Sequence, residues 1–181
     1  MAIFNRRNTK DHAHVLYVAI VNQARQPFLF DKFGVPDTVD GRFDMISLHV
    51  FLILRKLNND EYKVKGLSQS LFDTMFADMD RSLREMGAGD LGVGKRVKAM
   101  ATAFYGRLYA YEKAMEREDS ELLTGAILRN VFRGEEIRKK DAEKISKYIN
   151  WFFLKLNHYS VEELILGKIP TIDSVEDLPI T

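Results

Sequence analysis

Gly34–Leu57, GVPDTVDGRFDMISLHVFLILRKL, is the stretch whose reading decides the fold. Its first half is a turn-rich loop. Gly34, Pro36 and Gly41 punctuate it, and Asp37, Thr38 and Asp40 bring side-chain oxygens suited to turns and caps. Its second half, Phe43–Leu57, is apolar on almost every side. A helix apolar all round is either fully buried or in lipid. The run from Met45 to Leu54 is ten residues long and carries His49, whereas a membrane span needs about 20 apolar residues. The stretch therefore predicts the central helix of a soluble domain, entered through a polar loop with Asp40 as the N-cap.

Around this centre the pattern is helical nearly throughout. Leu16, Ala19, Ile20 and Gln23 mark a first amphipathic helix, started by Thr9 or Asp11 and ended by Pro27, and PFLFDKF forms one short turn. Asn58 to Gly66 reads as a polar loop with a turn at Asn59-Asp60. A helix from Ser68 carries Leu71, Met75, Met79, Leu83 and Met86 at alternating four- and three-residue spacing, closed by Gly87. The next starts near Gly94 and bears Val97, Met100, Phe104, Leu108, Tyr111 and Met115 on one stripe. Asp119 or Ser120 caps a helix through Val131, Asp141 opens the last long one through Leu156, and Ser160 starts a short one. No segment alternates with the two-residue period of a strand. The expectation is an all-α, single compact domain of about seven helices with no sheet. Residues 1–10 form a flexible basic N-terminus, 11–166 the helical domain and 167–181 an acidic tail.

Composition narrows the function classes. A chain of 181 residues with 46% hydrophobic and 11% aromatic residues can bury a sizeable core. The formal net charge of +1 announces neither nucleic acid nor a charged surface, and DNA is not expected as a partner. There is no cysteine, which removes disulfides, thiolate catalysis and Cys-based metal sites. Arg6, Arg7 and Lys10 resemble the start of a signal peptide. The apolar stretch that follows, Val15–Val21, is too short and runs straight into Asn22 and Gln23, so a secretory leader is not expected.

Several motifs invite a chemical reading. Gly87–Gly92 spells G-x-G-x-x-G and Gly89–Lys95 spells G-x-x-x-x-G-K, patterns that cradle phosphate when a strand precedes and a helix follows. Here an amphipathic helix precedes, and Arg96 stands where a Ser or Thr would hold Mg²⁺. The loop thus reads as a helix–helix connection with no nucleotide cofactor. Asp73, Asp78, Asp80, Glu85 and Asp90 form an acidic face. No histidine has a glutamate three residues before it, so a metal site built like the di-iron bundles is not expected. His49, in the buried helix, reads as a satisfied core histidine. No serine lies in a G-x-S-x-G elbow, so no catalytic residue is expected. Two surface features remain. Arg129–Lys147 holds seven Lys/Arg against four Asp/Glu, a patch able to meet ribosomal RNA or an anionic membrane. On the last long helix, which carries KYINWFFLKLNHY, Ile145, Ile149, Phe152 and Leu156 make the core stripe, while Trp151 and Phe153 lie off it and form a second apolar face.

The stretch VPDTVDGRFDMISLHVFLILRKL, followed by SQSLFDTMFADMDRSLREMGAGDLGVGKRVKAMATAFYGRLYAYEKAM, resembles the ubiquinol-cytochrome c chaperone family, assembly factors of the cytochrome bc1 complex. The similarity runs from about Tyr17 to about Met115 and then weakens. It implies a non-enzymatic chaperone that binds newly synthesised cytochrome b transiently. Contact with the ribosome exit region is implied too, and the place of work is the cytoplasm, peripherally at the inner membrane. On the matching motifs the partner-binding residues are Val35, Asp37, Asp40, Arg42 and Asp44 in the first loop, and Asp90, Lys95 and Arg96 in the second. Tyr105 and Arg107 lie nearby, and Trp151 and Phe153 are added for their off-stripe position. The polar members of the first loop would equally serve as caps and braces. A different class also fits the pattern: a helical small-molecule or lipid-binding protein with an internal apolar pocket lined by methionine and phenylalanine. A closed ligand-sized cavity would favour that class, and an open groove over a solid core would favour the chaperone.

Overall fold

A helix with no polar face needs neighbours on every side, and the arrangement of the chain meets that demand. The structure, a computed structural model, describes residues 6–59 and 66–172. Eight α-helices follow in order: α1 (Arg6–Ala24), α2 (Pro27–Asp31), α3 (Val39–Asn59), α4 (Leu67–Glu85), α5 (Asp90–Glu116), α6 (Ser120–Val131), α7 (Lys139–Leu156) and α8 (Val161–Ile165). A 3₁₀ turn, Glu136–Arg138, leads into α7, and no strand occurs among the described residues. The all-α expectation is met.

α3 is the axis. Every residue from Phe43 to Leu54 is buried, polar Asp44, Ser47 and His49 included. α1, α4, α5, α6 and α7 all pack on it, and they pack on one another as the pairs α1–α4, α4–α5, α5–α6 and α6–α7. The result is a cage of five helices around one. Each large aliphatic or aromatic side chain fully buried in it contributes about 1.5–3 kcal/mol. On α4 the buried stripe is Leu71, Met75, Met79 and Leu83, as spacing predicted. Met86, expected on that stripe, is instead 55% exposed, because α4 ends at Glu85 and Gly87 (φ +86°) turns the chain away.

Buried polar groups brace the cage. Neutral His49 can donate to the Met45 carbonyl only through Nδ1 (2.8 Å), which leaves Nε2 to accept from the Tyr148 hydroxyl (2.7 Å). The Tyr148 oxygen in turn accepts from Gln23 Nε2 at 3.0 Å. This relay links α3, α7 and α1 and leaves the imidazole with both nitrogens satisfied. Burial holds the His49 pKa down to about 4, so the ring is neutral at pH 7. Phe28, Phe33 and Phe152 close around the same tyrosine edge-on or tilted. Elsewhere Tyr17 donates to Asp78 at 2.9 Å, tying α1 to α4.

Four helix starts differ from the sequence expectation. α1 includes Arg6, so its helix begins before Thr9 or Asp11. α3 begins at Val39, and Thr38, not Asp40, is its cap: Thr38 Oγ1 accepts from the Gly41 N–H at 3.1 Å. α5 begins at Asp90 rather than Gly94, because Val93 is fully buried and anchors the first turn despite its glycine neighbours. α7 begins at Lys139, and Asp141 serves as ion-pair partner to Arg138 and Lys144 (2.9 and 3.0 Å). The caps at Asp119 and Ser160 stand as expected, Ser160 with a reciprocal Glu163 bond. Asn58 and Asn59, expected in the loop after α3, are instead its last residues, while residues 60–65 of that loop, residues 1–5 of the basic N-terminus and residues 173–181 of the tail lie outside the described residues. The part of the tail that is described packs down, with Ile169 and Ile172 buried.

Gly41 is required by a close approach rather than by its dihedral. It is buried against the loop, and a Cβ there would meet the Pro36 carbonyl oxygen, a backbone atom that cannot swing aside. Gly106, inside α5, has open space where its Cβ would be. Gly41→Ala should therefore cost about 1–3 kcal/mol, a fall in Tm of about 2–4 °C per kcal/mol for a chain of this size. Gly106→Ala should raise stability by about 0.4–1 kcal/mol. Thermal melts check both, and equal effects at the two sites would contradict the packing described.

Candidate functional site

The two motif loops do not stand apart. The start of α3, the end of α4, α5 and the end of α6 meet along one side of the cage. Asp44 is the buried polar group at that meeting point. It is fully buried, and two arginines reach it, one from α5 and one from the turn after α6: Arg107 Nη2 lies 2.6 Å from Oδ1 and Arg133 Nη1 2.9 Å from Oδ2. Arg107 is itself almost buried, with its guanidinium 5.5 Å from the centre of the Phe43 ring. Arg133, two residues past the end of α6, sits in the left-handed region (φ +55°), unusual for a side chain without a local hydrogen-bonding oxygen, and from there reaches back to α3. Its other terminal nitrogen is 3.9 Å from Asp40. Burial pushes the Asp44 carboxyl up to about 6 against the pull of Arg107 and Arg133. At pH 7 it is ionised and paired.

The sequence-proposed residues sort into three groups. Val35 is buried, and its N–H donates to the Leu29 carbonyl at 3.1 Å, so it anchors the loop. Asp37 and Arg42 pair with each other on the surface (2.7 Å), bracing the same loop. Asp40, Asp44 and Arg107 come together at the buried ion cluster, and Arg96 lines the neighbouring recess. Asp90 pairs with Arg84 at the start of α5, which places a carboxylate at the helix terminus where a phosphate would have to sit. Lys95 is exposed. Tyr105, two residues from Arg107, faces another way: it is 57% exposed, with its ring 5.5 Å from that of Phe72 on α4. Trp151 and Phe153 are not part of this site. Trp151 is half-buried and stacks on Tyr148, and Phe153 lies under Arg55 at 5.3 Å. The second apolar face of α7 is thus largely covered by the chain itself, and Leu154, 65% exposed, is its open member.

Sequence reasoning missed Arg133 as the second partner of Asp44 and missed Val39 and Met86 as exposed apolar side chains. Arg133 fell inside the basic Arg129–Lys147 segment, whose charges looked like one patch. In the fold that segment is divided: Arg133 turns inward to Asp44, Arg138 holds Asp141 and the Gly34 carbonyl, and Lys144 also holds Asp141. No group of three or more His, Asp or Glu side chains able to hold a metal converges among the described residues.

The two buried ionisable groups of α3 give opposite pH dependences. His49 titrates near 4 when folded and near 6.5 when unfolded. Between those values the unfolded chain binds more protons, so stability falls as the pH falls. Asp44 titrates near 6 when folded and near 3.9 when unfolded. Its contribution is present below about pH 4 and is lost as the pH rises to about 6. His49→Gln should therefore lose less stability than the parent on acidification from about pH 6.5 to about 4.5, and Asp44→Asn should lose more. Urea midpoints at each pH check this, and parallel curves for all three proteins would contradict it. Arg107→Ala leaves Asp44 buried with one partner and should cost about 3 kcal/mol, while exposed Arg129→Ala should stay within about 0.5 kcal/mol.

The family model of the ubiquinol-cytochrome c chaperones matches residues 31–171, so the likeness extends well past Met115, where the sequence reading had it fade. The crystal structure of a Cbp3 homolog from Brucella abortus is similar with a TM-score of 0.81 and 36% identity, over 95% of this chain and 94% of that one. The ubiquinol-cytochrome-c reductase complex assembly factor 1 of Xenopus laevis is 22% identical over 90% of this chain and 81% of its own. The human protein of that name is also 22% identical, over 91% of this chain but 55% of its own length. Against the mammalian relatives, then, the chain spans a little over half their length. A family match over most of the chain, together with a shared all-helical fold, establishes that the protein belongs to the ubiquinol-cytochrome c chaperone family.

Proposed function

We propose that the protein is an assembly chaperone of the ubiquinol–cytochrome c reductase (bc1) complex, and that its client is newly made cytochrome b, bound transiently and without catalysis. The observation that carries the proposal is the family match over residues 31–171. Physical features agree with a binding role. The interior is filled by large side chains such as Phe104, Tyr111, Tyr148 and Phe152, all fully buried. The recesses on the cage open to solvent, which suits a protein client better than an enclosed small ligand. No helix among the described residues is long and apolar enough to cross a membrane. As an assembly chaperone it would meet its client at the ribosome exit and the inner-membrane surface.

A clean deletion strain tests the proposal. The expected result is loss of assembled bc1 complex, with cytochrome b the first subunit to fall. Normal cytochrome b levels and normal quinol–cytochrome c reductase activity in that strain would overturn it.

A further inference from the structure

The end of α4, the start of α3 and the middle of α5 enclose a groove that the ion cluster around Asp44 does not account for. It consists of two adjoining recesses that share Asp40, Ala99 and Met100. At one end the walls are Val39, Leu83 and Met86, with Gly87 and Ala88 leaving room beside them. Val39 is 49% and Met86 55% exposed, although both are large and apolar. Along the middle, Ala99 and Ala103 stand one helical turn apart on α5 and keep the floor low. At the far end Arg107, Arg129 and Arg133 gather, and Arg96 stands beside the apolar end. Four guanidinium groups thus line the groove against two carboxylates, Asp40 and Asp44, and Asp44 is already committed to Arg107 and Arg133.

We propose that this groove is the client seat, and that it takes an apolar polypeptide segment carrying carboxylates at one end. The inference rests on the chaperone reading and names the part of the client that is held. Small residues on α5 let another backbone approach closely, and methionines adapt to side chains of different shape. The excess of arginine at the far end complements acidic residues, and Arg129, exposed and without a carboxylate partner among the described residues, is placed to meet them. A lipid surface fits less well. The apolar residues line a recess rather than a protruding edge, and the carboxylate of Asp40, 81% exposed between the two ends, would repel anionic headgroups.

The test uses the purified full chain and two fluorescent peptides. Both carry the same apolar sequence of about twelve residues, one ending in glutamates and the other in lysines. Anisotropy should show the glutamate-ended peptide binding about tenfold more tightly, as charge complementarity at one end allows. Ala103→Trp fills the groove from an exposed position, and Arg129→Glu reverses the charge at its end. Each should weaken that binding about fivefold or more, while Lys113→Glu, exposed on α5 away from the groove, should leave it unchanged. Equal binding of the two peptides, binding untouched by both groove variants, or binding only to anionic vesicles would overturn the assignment. The deletion strain separates this inference from the reading beneath it. If cytochrome b is lost on deletion and fully restored by the Ala103→Trp/Arg129→Glu double variant, the groove is wrong and the chaperone stands. If deletion leaves cytochrome b intact, the chaperone reading itself fails.

Discussion

The rest of the structure depends on one constraint: α3 has no face it can show to water. From Phe43 to Leu54 every side chain is inside, so the five long helices around it must each give up an apolar stripe to cover it. The same constraint carries three polar side chains into the core, Asp44, Ser47 and His49. A buried ionisable group is tolerated when it is neutral and hydrogen-bonded, or charged and paired. The two buried ionisable residues of α3 illustrate one solution each. His49 stays neutral and completes a relay from Gln23 through Tyr148 to the Met45 carbonyl. Asp44 ionises and draws in Arg107 and Arg133. Each solution recruits a different set of helices, so the polar groups fix which helix lies where around an axis that apolar packing alone would leave less specific.

This division assigns different work to residues that adjoin in sequence. In the polar loop ahead of α3, Val35, Asp37 and Thr38 anchor, pair and cap, with Arg42 of the first turn of α3 as the partner of Asp37. Gly41 lets the first turn of α3 pass over the Pro36 carbonyl. These roles are architectural. Asp40 and Val39, in the first turn of α3, face the groove. A stretch that resembles a chaperone family so clearly thus does two things at once. It builds the axis of the fold, and it contributes one wall of a surface that the axis holds in place.

The central helix was legible because its signal is local: a run of apolar residues too long for a strand and too short for a membrane. The stripe of α4 and the caps at Asp119 and Ser160 were legible for the same reason. Helix starts were read too late at α1, α5 and α7. For α5 and α7, cap rules weigh side-chain oxygens and glycine, whereas packing decided the outcome: buried Val93 holds a glycine-rich turn helical, and a 3₁₀ turn feeds α7 ahead of Asp141. The ion cluster was illegible because its members come from two helices and the turn after a third, far apart in the chain, and no spacing rule joins Asp44 to Arg107 and Arg133. Met86 misled in the opposite way, since it continues the α4 stripe in sequence and lies past the end of the helix in space. For Trp151 the off-stripe position was read correctly, and the ring is half-buried, stacked on Tyr148 of the same helix.

The claim that everything is built around α3 is tested most directly by native-state hydrogen exchange resolved to single amides. Amides of residues 46–54 should exchange only through global unfolding, with an opening free energy equal to the stability measured in urea and the same denaturant dependence. Those of the exposed face of α5 should open at lower free energies. If the α3 amides instead exchange through a local opening well below the global value, while an outer helix shows the greatest protection, α3 is not the axis on which this fold depends.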